Sequence, residues 1–199
     1  MQCELINRHP DFQALEAISG LKVDLRYATD NNFVGRDLYG GLHCAWVHRE
    51  AGAGLASSVA WLHRHFPGYT LVVLDALRPH RVQLELWDHF KDSDLRQYLA
   101  DPARGSIHSF GMAVDVTLLD PAGHEVDMGT AFDALTLLSH PQHEEKHRSQ
   151  GLLDDTQIAN RLILRQAMCS SGFHGISSEW WHFDFGDRVR VRRDFERVD

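Results

Sequence analysis

Two short stretches hold residues that could do chemistry together. Residues 106–118 read SIHSFGMAVDVTL and carry His108 and, seven positions on, Asp115. Met112, Val114, Val116 and Leu118 alternate as the apolar face of a strand, which leaves Ala113, Asp115 and Thr117 on the other face. A carboxylate in that setting is costly unless a cation, hydrogen bonds or solvent lies beside it. Gly111 permits a sharp approach from His108 into the strand. The second stretch, SEWWHFDF over 178–185, carries Glu179 and His182.

His108, Asp115 and His182 are two imidazoles and a carboxylate, a ligand set suited to one catalytic Zn²⁺ with a fourth position left for water. Zinc lowers the pKa of bound water from roughly 15.7 to about 7, so a nearby Glu179 could finish the deprotonation at neutral pH. The metal would then be the cation that makes the burial of Asp115 tolerable. Glu179 and His182 are three apart, and on a regular strand they would point to opposite faces. To share a centre, the chain must bend around Glu179–Trp180 before the strand begins. Trp180 and Trp181 would pack as apolar walls.

These residues need a scaffold. Leu55, Val59 and Leu62 recur at helical spacing between about Glu50 and Phe66, and Pro67-Gly68 ends that helix. TLVVLDALRP (70–79) reads as a buried strand, and Pro79 can start a helix carrying Val82, Leu86 and Phe90. The strand from Met112 to Leu119 meets a turn at Asp120-Pro121-Ala122-Gly123 and is expected to return through HEVDM as a hairpin. A last helix runs from Asp155-Thr156 to Ser171, capped by Gly172, and EWWHFDF (179–185) closes the set as a strand. Helices and hairpins without strict βαβ alternation predict an α+β fold, with helices packed on a central antiparallel sheet.

The bulk numbers narrow the classes. A chain of 199 residues with 43% hydrophobic and 24% charged residues suits one soluble domain with a real core. The net charge of −8 argues against a nucleic-acid partner. No apolar run approaches ~20 residues, so no membrane span is expected, and no signal peptide is evident. Cys3, Cys44 and Cys169 are scattered and odd in number, which fits inert thiols in a reducing cytoplasm. Of the 14 histidines, most are background. His140, His143 and His147 in SHPQHEEKH look like a metal cluster by composition, but the interleaved charges predict a solvated face.

The pattern Ser106-x-His108-x-x-Gly111-x-Ala113-x-Asp115, followed by Glu179-x-Trp181-His182, resembles the D-alanyl-D-alanine dipeptidase family of zinc peptidases. Tyr27-Ala28-Thr29, Asn32-Phe33, Asp75-Ala76-Leu77-Arg78-Pro79 and Met128-Gly129-Thr130-x-Phe132-Asp133 follow the family's order. The likeness spans about residues 20 to 185 and implies a hedgehog/D,D-peptidase-like zinc peptidase fold over one domain, residues 1–199. It implies His108, Asp115 and His182 as zinc ligands, Glu179 as general acid/base and Arg78 as stabiliser of the oxyanion. A guanidinium fixed at a strand end is suited to that last task, the alternative being a salt bridge to Asp75 or Glu85.

By the same resemblance Asp133 holds the free ammonium of a D-Ala-D-Ala dipeptide, in competition with a role as N-cap of a helix AFDALTLL. Tyr27 and Ser106 line the same small pocket, with Ser106 a donor to the substrate carboxylate. Leu77 stands where relatives often have an aromatic. Two other readings remain: a D,D-carboxypeptidase or endopeptidase on wall peptides with an open cleft, and a zinc-binding module without catalysis. The presence of Glu179 and Arg78 ranks the last lowest.

Overall fold

A computed structural model describes residues 1–199. In chain order the regular elements are β1 (Phe12–Ala14), β2 (Leu21–Val23), β3 (Trp46–His48), α1 (Arg49–His65), β4 (Thr70–Asp75), α2 (His80–His89), β5 (Ala113–Leu119), α3 (Glu144–Ser149), α4 (Asp155–Cys169), β6 (Phe173–Gly175), β7 (His182–Phe185) and α5 (Arg188–Asp194). A five-stranded sheet has the order β2-β4-β5-β7-β6, and β1 pairs with β3 in a separate ribbon. The fold is α+β. The main sheet is antiparallel except at one edge, where β2 runs parallel to β4.

The apolar alternation of β5 does what its sequence predicts. Met112, Val114, Val116 and Leu118 are fully buried, and they join Leu71 and Val73 of β4 with Leu55, Val59 and Leu62 of α1 in the larger core cluster. Each such side chain contributes roughly 1.5–3 kcal/mol of burial. A second cluster holds Tyr27, Tyr39, Leu77, Val82 and Leu86 around the start of α2. Leu77, the departure from the aromatic pattern, is fully buried there.

Two expectations fail locally. HEVDM makes only an isolated bridge, Leu119 to Glu125, and no strand. Asp120 Oδ1 accepts the backbone N–H groups of Ala122 and His124, after which α4 takes the chain: Asn160 donates to the Asp127 carbonyl and Arg161 Nε to the Met128 carbonyl. The second concerns the histidine-rich segment, which is solvated on one side only, through Gln142, Glu145 and Lys146. His140, Glu144 and His147 are buried, and the Glu144 carboxylate turns inward to Arg165 of α4 at 3.0 Å and faces Arg161.

Gly111 carries the local constraint. It sits at φ 64° as the cap of the 3-10 turn Ile107–Phe110, and a Cβ there would lie 2.8 Å from the His48 backbone nitrogen and 2.7 Å from the Phe12 ring. Its carbonyl accepts that same His48 N–H at 2.9 Å. Gly111→Ala is therefore expected to destabilise the fold by about 1–3 kcal/mol, measured by urea unfolding against wild type. An unchanged midpoint would show that the turn is not under this constraint.

Candidate active site

The centre of the sheet builds the site by register. Asp75 of β4 is opposite Asp115 of β5, and Asp115 is opposite His182 of β7, so three adjacent strands set these residues in one row. The row exists because β4 carries a bulge between Val73 and Asp75. Without the extra residue Leu74 would oppose Asp115, and Asp75 would turn to the other face. β7 begins at His182, after a bend through Trp180 and Trp181, and the bend brings Glu179 to the side that His182 faces.

His108 enters from the 3-10 turn, and its Nδ1 donates to the Ala76 carbonyl at 2.7 Å. His182 donates from Nε2 to Asp184 Oδ1 at 3.0 Å. With the tautomers assigned from these partners, His108 Nε2 and His182 Nδ1 present lone pairs 3.1 Å apart. Asp115 Oδ1 completes the group, 2.9 Å from His182 Nδ1 and 3.4 Å from His108 Nε2. Three such acceptors repel one another unless a cation sits between them, whether a proton on His182 or a metal ion. A tetrahedral zinc ion with bonds of about 2.0–2.1 Å has ligand-to-ligand edges of about 3.3 Å, within the spread of these separations. The residues fit such an ion, and among the chain's His, Cys, Asp and Glu side chains this group alone converges so closely.

The electrostatics point the same way. Burial would raise Asp115, but the two imidazoles hold its carboxyl well below the usual range. Burial works against a charged His182, yet Asp184 and Asp115 push its pKa well up, so positive charge is favoured at that imidazole. Asp184 opposes its own burial by pairing with His182 and Arg188 and falls to about 2. Glu179 differs: burial against the cavity drives it up to about 7, and charges rather than hydrogen bonds make up the remaining influences.

All eight residues singled out from the sequence border one cavity of about 220 Å³. Arg78 is buried and holds Asp75 Oδ2 through Nε at 3.0 Å and Nη2 at 2.7 Å, and its Nη2 reaches Asp115 at 3.3 Å. The Asp75 salt bridge is therefore real, but it does not consume the guanidinium. Nη1 has only a 3.4 Å contact to Gln83 Oε1 and remains available to the cavity. Glu85, the other partner considered, pairs with Arg36 instead.

Asp133 caps no helix. It has φ 60°, residues 131–136 are irregular, and its buried Oδ2 has no hydrogen-bond partner. Oδ1 accepts from the Tyr27 hydroxyl at 3.4 Å, and Tyr27 in turn lies under the Arg78 guanidinium, 4.6 Å from its ring centre. Burial, then the charge of Asp115, pushes the Asp133 carboxyl well above its usual range. Ser106 is buried beside the 3-10 turn without capping it, so its hydroxyl is free to face the cavity.

A family model described as D-ala-D-ala dipeptidase matches residues 11–198. The chain belongs to the D-Ala-D-Ala dipeptidase family. A D-alanyl-D-alanine dipeptidase of Escherichia coli (strain K12) is 38% identical over 164 residues, covering 82% of this chain and 78% of that protein. The Enterococcus faecalis D-alanyl-D-alanine dipeptidase is 31% identical over 189 residues, with 86% and 89% covered. One from Streptomyces coelicolor is 29% identical over 184 residues, with 84% and 87% covered. As a member of this dipeptidase family the chain is a peptidase, and no helix is long and apolar enough to cross a membrane.

Sequence reasoning passed over Asp184, although its i+2 spacing from His182 on a strand was a usable signal. Asp75 entered only as a partner for Arg78, because the bulge that turns it into the row leaves no mark in the sequence. Arg188 and Arg192 of α5 also border the cavity and were missed, since an arginine-rich helix end reads as surface.

The unpaired Asp133 carboxyl gives a stability test with a definite sign. Its folded pKa lies above the unfolded value, so ionisation of the unfolded chain alone costs stability as pH rises above about 4. Asn tolerates a left-handed backbone and carries no charge. Asp133→Asn should therefore be more stable than wild type in the metal-free protein at pH 8, by about 1.4 kcal/mol per unit of raised pKa, and the gap should close towards pH 4. Urea melts at the two pH values measure this, and a pH-independent difference would contradict it.

Proposed function

We propose that the protein is a zinc-dependent D-Ala-D-Ala dipeptidase acting on the free dipeptide in the cytoplasm, as one catalytic domain. The observation that carries the reading is the convergence of His108 Nε2, His182 Nδ1 and Asp115 Oδ1 beside an uncommitted Glu179, in a cavity also bordered by Asp133 with its unpartnered Oδ2. His108, Asp115 and His182 would hold one Zn²⁺, and Asp184 and the Ala76 carbonyl would fix the two imidazoles. When bound, zinc supplies Lewis-acid polarisation of the scissile carbonyl and an acidified water.

The chain's own groups then divide the work. Glu179, poised near neutrality, takes a proton from the attacking water and passes it to the leaving amine nitrogen. Arg78 Nη1 donates to the oxygen that becomes negative at the tetrahedral carbon, while Asp75 holds the guanidinium in place. Asp133 takes the substrate ammonium, with the Tyr27 hydroxyl steadying its other oxygen. An ammonium also supplies the positive partner that makes ionised Asp133 tolerable in its buried position. The volume of about 220 Å³ suits a very small ligand.

The zinc-loaded protein should release D-alanine from D-Ala-D-Ala and not from an amine-blocked D-Ala-D-Ala. Equal cleavage of the blocked substrate would move the protein to a D,D-carboxypeptidase. Glu179→Gln should lower kcat by about 10²–10⁴-fold while one zinc per chain is retained, as read by metal analysis. Zinc retention with full activity would remove Glu179 from the mechanism. The kcat/KM profile should lose activity as pH falls and Glu179 is protonated. Its midpoint should lie at or below about 7, because the nearby cation opposes the effect of burial.

A further inference from the structure

The cavity wall carries both signs of charge, and one of its cations has been given no task. Asp133 lacks a cation. α5 brings two guanidiniums to the wall, Arg188 and Arg192, four residues apart and so on the same face of the helix. Arg188 is committed, since it pairs with the Asp184 carboxylate that orients His182. Arg78 is held by Asp75 and touches Asp115. Arg192 is not committed in this way. Its Nε donates to the Gly105 carbonyl at 3.2 Å, and no carboxylate lies within ion-pair reach of its remaining N–H groups.

Partial burial and the like charges of Arg104 and Arg188 lower the pKa of Arg192, and the charge of Asp184 offsets only part of this. The bond to Gly105 fastens it next to Ser106, whose hydroxyl faces the same cavity. A guanidinium held by one edge, with its other N–H groups free beside a hydroxyl, is the donor fork that a carboxylate accepts.

We propose that Arg192 is the specificity-determining anchor for the substrate's α-carboxylate, shared with Ser106, so that the dipeptide lies with its ammonium at Asp133 and its carboxylate at Arg192. This rests on the dipeptidase reading and adds to it a residue outside both motifs. The scissile amide of a D-Ala-D-Ala molecule lies between its two charged ends, and the converging His108, Asp115 and His182 border the same cavity as both anchors. The arrangement binds dipeptides whose carboxylate is masked more weakly, and it disfavours longer peptides extended past the carboxyl end.

The test separates this anchor from the reading it rests on. In the zinc-loaded Glu179→Gln protein, calorimetry measures binding of D-Ala-D-Ala and of D-Ala-D-alaninamide, which lacks the negative charge. Adding Arg192→Gln should weaken binding of D-Ala-D-Ala by about 10-fold or more and leave the amide unchanged within about twofold. Arg192→Lys should recover much of the loss, because charge without the fork is retained. The amide serves as the folding control, since a misfolded variant would lose both ligands. Equal weakening of the two ligands, or no weakening of either, overturns the anchor and leaves the dipeptidase intact. Failure of the Glu179→Gln protein to bind D-Ala-D-Ala at all overturns the dipeptide reading and the anchor with it.

Discussion

Asp115 is a carboxylate buried in the middle strand of the sheet, and most of what surrounds the cavity can be derived from the need to keep it charged there. One oxygen faces the two imidazoles and the other faces Arg78. Arg78 would over-compensate alone, so Asp75 takes two of its nitrogens, and the Tyr39 hydroxyl donates to Asp75 in turn. His182 needs Asp184, and Asp184 needs Arg188. Each buried charge recruits the next, because removing one partner from such a set leaves another unpaired at several kcal/mol. The core that supports this network is ordinary, with Val114, Val116 and Leu118 on the opposite face of the same strand.

How much of this was legible depended on whether the signal was local. The period-two pattern of residues 112–119 and the helical stripe of Leu55, Val59 and Leu62 act within a few residues, and each appears where its pattern put it. The helix expected to run to Ser171 under a Gly172 cap ends at Cys169 with Ser170 as its cap, and it is not the last, since α5 follows. The bend before His182 was a geometric necessity once Glu179 and His182 were assigned to one centre, and β7 does begin at His182. The Leu74 bulge is different. It is a property of the pairing between β4 and β5, which meet 40 and more residues apart, and nothing in TLVVLD announces it. The burial of Glu144 likewise goes with Arg165 and Arg161, on a helix the local charge pattern does not contain. HEVDM lost its strand to contacts with α4 for the same reason.

The site also shows where stability has been given up. Asp133 is buried, sits in a left-handed conformation and has an oxygen without a partner. Glu179 is pushed towards neutrality by its surroundings. Neither arrangement helps the empty protein, and each is what a site waiting for a cationic or proton-donating ligand requires.

The pairing of Asp133 and Arg192 along one cavity, if they anchor a substrate as proposed, bears on turnover as well as recognition. An intact dipeptide would be held by both charges, and the second contact would be made at the high local concentration set by the first. Hydrolysis would divide that bidentate ligand into two molecules of D-alanine, each retaining one of the original contacts. The newly formed carboxylate would remain beside Arg78 and the new ammonium beside Glu179, yet neither product would span both anchors. Cutting the bond would therefore dissolve the avidity that held the substrate and favour release of both products.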